Sequence, residues 1–298
     1  MRLAVIDIGG TFIKYAIINQ EGLFLFHGSV PTEALNGSRN LVAKVLGLCD
    51  QMMEGFEIEG IAISSAGQID AMRGVVVFAT DNLPGYTGTR LAELVSDHTG
   101  LPVRIENDVN CTALGESWKG AARGVRNFLC VTIGTGVGGA LFLNGRLYTG
   151  AGFSAGEIGH MILYPNGRNC TCGSRGCYEQ YASSSALQRL ISEEFREQMS
   201  IREFFELVKS KDSKALFLFE GWIDDLTTGL QSLVHLFNPE MIVIGGGISA
   251  QGNVLQEAIE SSLKKKIMPN HQKHLQIKMA EHDNKSNLLG AAKNFLEN

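Results

Sequence analysis

The chain is poor in cysteine, proline and tryptophan: 298 residues hold only 6, 6 and 2 of them. Proline is too scarce for a proline-rich linker, and no serine-rich tract takes its place. No apolar run approaches the roughly 18 residues of a membrane-spanning helix, so no membrane partner is expected. The opening "MRLAVIDIGG" is too short for a secretory apolar core and is broken by Asp7. A cytoplasmic location is therefore expected, and there thiols stay reduced. A net charge of −5 and a pI near 5.8 leave no broad basic surface for nucleic acid. The dipeptide Gly-Lys is absent, which excludes a Walker phosphate loop.

Glycine is the opposite case, with 35 residues. They gather in "DIGGT" (7–11), "TIGTGVGG" (132–139), "TGAGFSAGEIGH" (149–160) and "IGGGIS" (244–249). Glycine lets backbone approach a ligand or turn at positive φ. Any one cluster could be a tight turn; four together suggest loops built around a ligand. Hydrophobic residues, 44% of the chain, suffice for real cores, and the length suits two domains.

The patterning predicts strands at 2–8, 12–19 and 22–30, an antiparallel meander whose first turn is glycine-rich. A helix over about 38–55, a strand at 58–67 and a helix at 89–100 stopped by Gly100 follow. Next come a strand at 103–108 and a helix at 109–120. The opening pattern then returns: a strand at 127–133, a glycine turn, and "ALFLNGRLY" (140–148) with an Asn-Gly hairpin signal. A largely helical region (182–236), a strand and glycine turn (240–249), a helix (252–265), a strand (275–282) and a helix (287–298) complete the chain. Strand, glycine turn, strand thus occurs near residue 10 and again near residue 135, which implies two α/β domains of related plan joined near 110–120. Leu288, Leu289, Ala292 and Leu296 give the last helix an apolar face, expected to pack on the N-terminal domain.

"GTGVGG" (134–139) spells a dinucleotide fingerprint, but a strand follows it where that fingerprint needs a helix. "GGGISA" (245–250) is followed by a helix, yet 48 residues remain, too few for the rest of such a domain. Phosphate held by hairpin turns is what is left. Gly9 and Gly10 can point backbone N–H groups at it, as a nest does, and Thr11 adds a hydroxyl. Asp7, at the strand end, could hold Mg²⁺ directly or through water. Gly134, Thr135 and Gly136 offer a second such loop. Asp108 closes a strand and opens a helix, a place for either a general base or an N-cap. If it is the base, Asn107 or a neighbour should share the capping.

Cys170, Cys172 and Cys177 are spaced C-x-C-x₄-C, with His160 ten residues upstream of the first. Three thiolates and an imidazole complete a tetrahedral Zn²⁺ with no open position, so the metal would be structural. The spacing is not the C-x-x-C of redox chemistry. Gly173 and Gly176 permit tight turns there. Cys49, Cys111 and Cys130 lie in apolar stretches and read as core.

Together, "DIGGT", "IGTGVGG", "GEIGH" (156–160) and "CTCGSRGCYE" (170–179) closely resemble the ROK family of sugar kinases and repressors, from the hexokinase–actin–Hsp70 superfamily. The resemblance runs in order over nearly the whole chain. It implies two actin/hexokinase-like (ribonuclease H-like) domains, each a mixed five-stranded sheet flanked by helices, with ATP and sugar in the cleft between. A small domain would span 1–116 plus 284–298, and a large one, with the zinc loop, 117–283. The implied reaction is ATP- and Mg²⁺-dependent phosphorylation of a hexose 6-hydroxyl, glucokinase-like, with Asp108 as base. Gly67, Asn82, Asn107, Glu157, His160 and Glu179 would line the sugar with Asp108. Asp7, Gly9, Gly10, Thr11, Lys14, Gly134, Thr135, Gly136 and Gly245, Gly246 and Gly247 would hold ATP. His160 would serve both metal and sugar, one ring nitrogen to each. "SSAG" departs from the family's commoner Ser-x-Pro-Gly, with Ala66 in place of proline, which keeps N-acetylmannosamine open as substrate; family members with the same motifs also handle fructose and β-glucosides, so these stay open too. A sugar-sensing repressor of the family would need an N-terminal helix-turn-helix, for which a chain starting on its first strand leaves no room. A homodimer is expected from the family's habit.

Overall fold

The computed structural model describes residues 1–195, 199–282 and 285–297. The expected domain boundary at 283/284, residues 196–198 of the expected helical region and residue 298 of the last helix lie outside the described residues. In chain order the strands are β1 (Arg2–Ile8), β2 (Phe12–Asn19), β3 (Phe24–Pro31), β4 (Gly60–Ser65), β5 (Gln68–Asp70), β6 (Val75–Phe78), β7 (Val103–Asn107), β8 (Phe128–Ile133), β9 (Val137–Leu143), β10 (Arg146–Tyr148), β11 (Met241–Gly245) and β12 (Gln276–Met279). The helices are α1 (Ser38–Gly55), α2 (Leu91–Thr99), α3 (Asp108–Lys119), α4 (Glu179–Ala182), α5 (Ser184–Phe195), α6 (Ile201–Lys209), α7 (Ser213–Phe237), α8 (Asn253–Lys266), α9 (Pro269–Gln272) and α10 (Ser286–Glu297). They form two compact units: Met1–Gly124 with Leu147–Ala155 and Asn284–Asn298, and Val125–Arg146 with Gly156–Asp283.

In the first unit one sheet runs β3-β2-β1-β4-β7. β1–β2 and β2–β3 pair antiparallel, while β1–β4 and β4–β7 pair parallel. Strand β1 is buried from Leu3 to Ile8 because helices cover both faces of the sheet, which is why it reads as a continuous apolar run. Side chains alternate along it. Ala4, Ile6 and Ile8 pack with Leu41, Val45, Met52, Leu91 and Val95 of α1 and α2. Leu3 and Val5 pack on the other face with Cys111 of α3 and with Leu288, Ala291 and Ala292 of α10. The last helix therefore closes the core of the first strands, as its apolar face implied. Burying each of the leucine, isoleucine and valine side chains among them is worth about 1.5–3 kcal/mol.

The second unit repeats the plan with sheet order β10-β9-β8-β11-β12. β8–β9 is antiparallel, and β8–β11 and β11–β12 are parallel. Asn144 and Gly145 turn between β9 and β10 at φ 55° and 82°, the positive pair that an Asn-Gly hairpin supplies. Both mixed sheets are flanked by helices, as the α/β reading expects. The β5–β6 hairpin was not legible, because its bulged register at Gln68/Ile69 hides the two-residue alternation. Among the described residues no helix is long and apolar enough to cross a membrane.

Candidate active site

Parallel strands end their polar residues together. Asp7 of β1 is paired with Ser64 of β4, and Ser64 with Glu106 of β7, so the three form a row across the sheet. Alternation puts Asp7 on the same face as Leu3 and Val5, toward α3 and α10. Its carboxylate is buried, and Oδ1 accepts from Ser64 Oγ at 2.6 Å and from Asn287 Nδ2 at 3.1 Å. Lys14 Nζ lies 3.5 Å from Oδ2. Glu106 is buried too, and accepts from Asn110 Nδ2 and from the Asn107 backbone. Burial pushes its carboxyl above the usual range.

Asp108 follows the row as the first residue of α3. Loss of solvent, then the charge of Asp7, pushes its pKa up to about 7. Asn107 relieves Asp108 of most of the capping. Its carbonyl oxygen accepts from Val109 and Asn110 N–H, while its amide donates to Gly67 O at 2.8 Å and to Asp108 Oδ1 at 3.0 Å. Asn107 could reach a sugar only by releasing one of these bonds. Gly67 has φ 102°, and a Cβ there would stand 2.7 Å from Phe78 O. Asn82 is exposed on the loop before Pro84.

In the β1–β2 turn, Gly9 donates its N–H to Phe12 O at 3.1 Å, which leaves Gly10 and Thr11, both exposed, as the tip. Thr32 Oγ1 ties the turn down through Gly9 O at 2.7 Å. The matching turn of the second unit is closed by Gly134 N–H on Gly136 O at 3.0 Å. An open cavity of about 370 Å³ in that unit is lined by Gly134, Thr135, Gly247, Ile248 and three residues of α5: Ser184, Ser185 and Gln188. Gly245 ends β11, and Gly246 turns the chain at φ 81°, where a Cβ would meet Ile133 O at 2.5 Å.

The cysteine loop belongs to the second unit. A 3₁₀ turn over Ile158–His160 lies tight against β9, so tight that a Cβ on Gly159 would stand 2.1 Å from Val137 O. His160 turns Nδ1 to Cys170 Sγ at 3.7 Å and Nε2 to Glu157 at 3.9 Å. Cys172 and Cys177 sulfurs are 3.6 Å apart, and the four ligand atoms of His160, Cys170, Cys172 and Cys177 all lie within 4.8 Å of one another. Tetrahedral zinc, with Zn–S of about 2.3 Å and Zn–N of about 2.1 Å, sets ligand edges of roughly 3.6–3.8 Å. The donor set therefore fits such an ion. Gly173 and Gly176 take φ 87° and 81° within the loop. Tyr178, fully buried, anchors its end to Leu226 O of α7. Glu179 accepts from Cys170 Sγ at 3.1 Å and lies 3.9 Å from His160 Nδ1.

Ser64, Glu106, Asn110 and Asn287 around Asp7 and Asp108, and the α5 residues of the cavity, went unmarked in the sequence. Only the strand-end position of Ser64 and Glu106 could have flagged them. Cys49, Cys111 and Cys130 are buried in cores, as their apolar surroundings implied.

A family model, the ROK family, matches residues 3–297. The chain belongs to the ROK family. It is 31% identical to a glucokinase of Thermotoga maritima, over 90% of this chain and 89% of that one. It is equally 31% identical to a β-glucoside kinase of Listeria monocytogenes, over 100% and 98%. A crystal structure of a ROK glucokinase from Streptomyces griseus with glucose and AMPPNP superposes with a TM-score of 0.85 at 30% identity, covering 98% of each chain. The two mixed, helix-flanked sheets are thus those of the two-domain actin-like fold.

Proposed function

We propose that this chain phosphorylates the 6-hydroxyl of a hexose with ATP, glucose being the first candidate. As a ROK sugar kinase it is an ATP-dependent phosphotransferase. The observation that carries the finer reading is Asp108, a carboxylate pushed up to about 7 and braced by Asn107 at the end of the Asp7–Ser64–Glu106 row. A base poised near neutral pH takes the 6-hydroxyl proton as the oxygen attacks the γ-phosphorus and the bond to the ADP oxygen breaks.

In the first unit, Gly10 and Thr11 would bind phosphate oxygens beside Lys14, and Gly67, Asn82 and Asn107 would meet sugar hydroxyls. Asp7 would hold Mg²⁺ through water; its Oδ2 meets Lys14 Nζ at 3.5 Å, so that oxygen already faces a cation. When bound, that ion neutralises phosphate charge. In the second unit, the cavity beside Gly134, Thr135 and Gly245–Gly247 would take the nucleotide, with Gly136 beside it. Glu157, His160 and Glu179 would bind sugar hydroxyls in a geometry set by structural zinc, which His160, Cys170, Cys172 and Cys177 would ligate. Nε2 of His160, turned toward Glu157, is the nitrogen left for the sugar side. A homodimer without nucleic-acid or membrane partners completes the reading.

A β-glucoside is the second candidate substrate, favoured by the full-length likeness to the Listeria kinase. ADP release over a panel of glucose, mannose, fructose, N-acetylmannosamine, N-acetylglucosamine and a β-glucoside tests both. Sugar-stimulated release, lost in Asp108→Ala, is expected. No sugar raising release above the Asp108→Ala background would overturn the kinase reading.

A further inference from the structure

The last helix reaches the first strand through one side chain. Asn287, second residue of α10, donates to Asp7 Oδ1 at 3.1 Å and accepts from Thr112 Oγ1 at 2.5 Å. A carboxylate only accepts, so the amide nitrogen must face Asp7 and the amide oxygen Thr112. Thr112 Oγ1 also lies 3.0 Å from the carbonyl oxygen of Asp108, one turn earlier in α3. Asn near a helix start ordinarily bonds backbone N–H groups of its own first turn. Here both halves of the amide go to other elements, β1 and α3.

Asp7 Oδ1 is thereby held from two sides, by Ser64 of β4 and by Asn287 of α10. The torsion that turns a carboxylate about its own axis is soft, and one donor leaves the plane free to swing. A second donor fixes it. The helices behind this second donor are close to a single body: a Cβ on Gly290 would stand 1.6 Å from Cys111 O, and one on Gly115 2.2 Å from Ser286 O. Ser286 Oγ adds a bond to the buried Glu116 at 2.6 Å. Whatever holds α10 on α3 therefore also fixes where Asp7 points relative to Asp108.

We propose that Asn287 is a positioning residue for phosphoryl transfer: by gripping Asp7 from α10 it keeps that carboxylate in register with the helix that carries Asp108. The proposal rests on the kinase reading above and gives a task to a residue that reading leaves idle. Asn287 touches no reacting atom and acts through Asp7. Errors of about 1 Å in such arrangements cost on the order of 10²-fold in rate.

The test compares wild type, Asn287→Ala, Asp7→Asn and the double variant at saturating ATP, well below each melting temperature. Asn287→Ala should lower kcat by about tenfold or more with sugar KM within about twofold, and Asn287→Ala added to Asp7→Asn should change kcat by less than about twofold. A role in helix docking alone would leave kcat of the folded variant unchanged, or would carry its loss undiminished into the Asp7→Asn background; either result overturns the proposal. If Asn287→Ala does not fold, Thr112→Val frees the amide without removing it, and an unchanged kcat there overturns the proposal equally. Wild-type protein that releases no ADP with any sugar would instead sink the kinase reading, and this inference with it.

Discussion

Glu179 accepts from the Cys170 thiol at 3.1 Å, and its other oxygen lies 2.5 Å from where a Cβ on Gly136 would stand. One side chain thus spans the cysteine loop and the glycine turn of the second unit. Zinc takes cysteine as thiolate, so metal loading removes the proton that Glu179 now receives. The carboxylate then has a free lone pair for another donor, such as a hydroxyl.

Protein purified without chelator should accordingly carry close to one zinc per chain by elemental analysis. Cys177→Ser should lose it, melt at lower temperature, and raise the sugar KM by about 10- to 100-fold with a smaller effect on the ATP KM. Less than half an equivalent in the wild type would count against the site.

Asp108 should impose an acid limb near pH 7 on kcat/KM, since the base works only when ionised. Asp108→Asn should lower kcat by about 10²- to 10⁴-fold at pH 8. The same group has a consequence for stability. Its pKa rises from an ordinary 3.8 to about 7 on folding, so across that interval the folded state binds the extra proton and stability falls as pH rises. Asp108→Asn should therefore stabilise the protein more at pH 8 than at pH 5, in paired thermal melts. An equal gain at both values would contradict the raised pKa.

Gly290→Ala should be costly. The new Cβ would meet backbone, Cys111 O at 1.6 Å, so α3 and α10 must separate. Overpacking of this kind costs about 1–3 kcal/mol, read as a lower urea midpoint. Because α3 carries Asp108, kcat should fall in the protein that remains folded.

Two adjacent glycines should behave differently. A Cβ on Gly246 is strained by φ 81° and by Ile133 O, whereas one on Gly247 meets nothing within 4 Å although Gly247 lines the cavity. Gly246→Ala should lower the melting temperature. Gly247→Val should leave it nearly unchanged and raise the ATP KM. An unaltered ATP KM in Gly247→Val would remove the nucleotide from that cavity.

The glycine turns and the histidine–cysteine cluster were legible because each is local: a turn needs its own glycine, and the four metal-ligating residues fall within one segment, 160–177. The repeated sheet plan was legible because its strand–turn–strand pattern returns. Asn107 was legible as a cap for the same reason, sitting beside the helix it starts. Asn287 was not, because its partner Asp7 lies 280 positions away and only the packing of α10 joins them. Ser184, Ser185 and Gln188 were hidden differently. They sit on an amphipathic helix, where a polar residue facing a cavity has the same spelling as one facing water.

The helix that closes the first unit is made long after the strands it covers. β1 to α3 leave the ribosome early, yet Leu3, Val5 and Ala62 must wait for Leu288, Ala291 and Ala292 before their face is covered. During synthesis that half of the molecule is an unfinished surface, exposed to chaperones and to aggregation. A chain cut before α10 would lack both this cover and Asn287, leaving Asp7 Oδ1 to Ser64 alone.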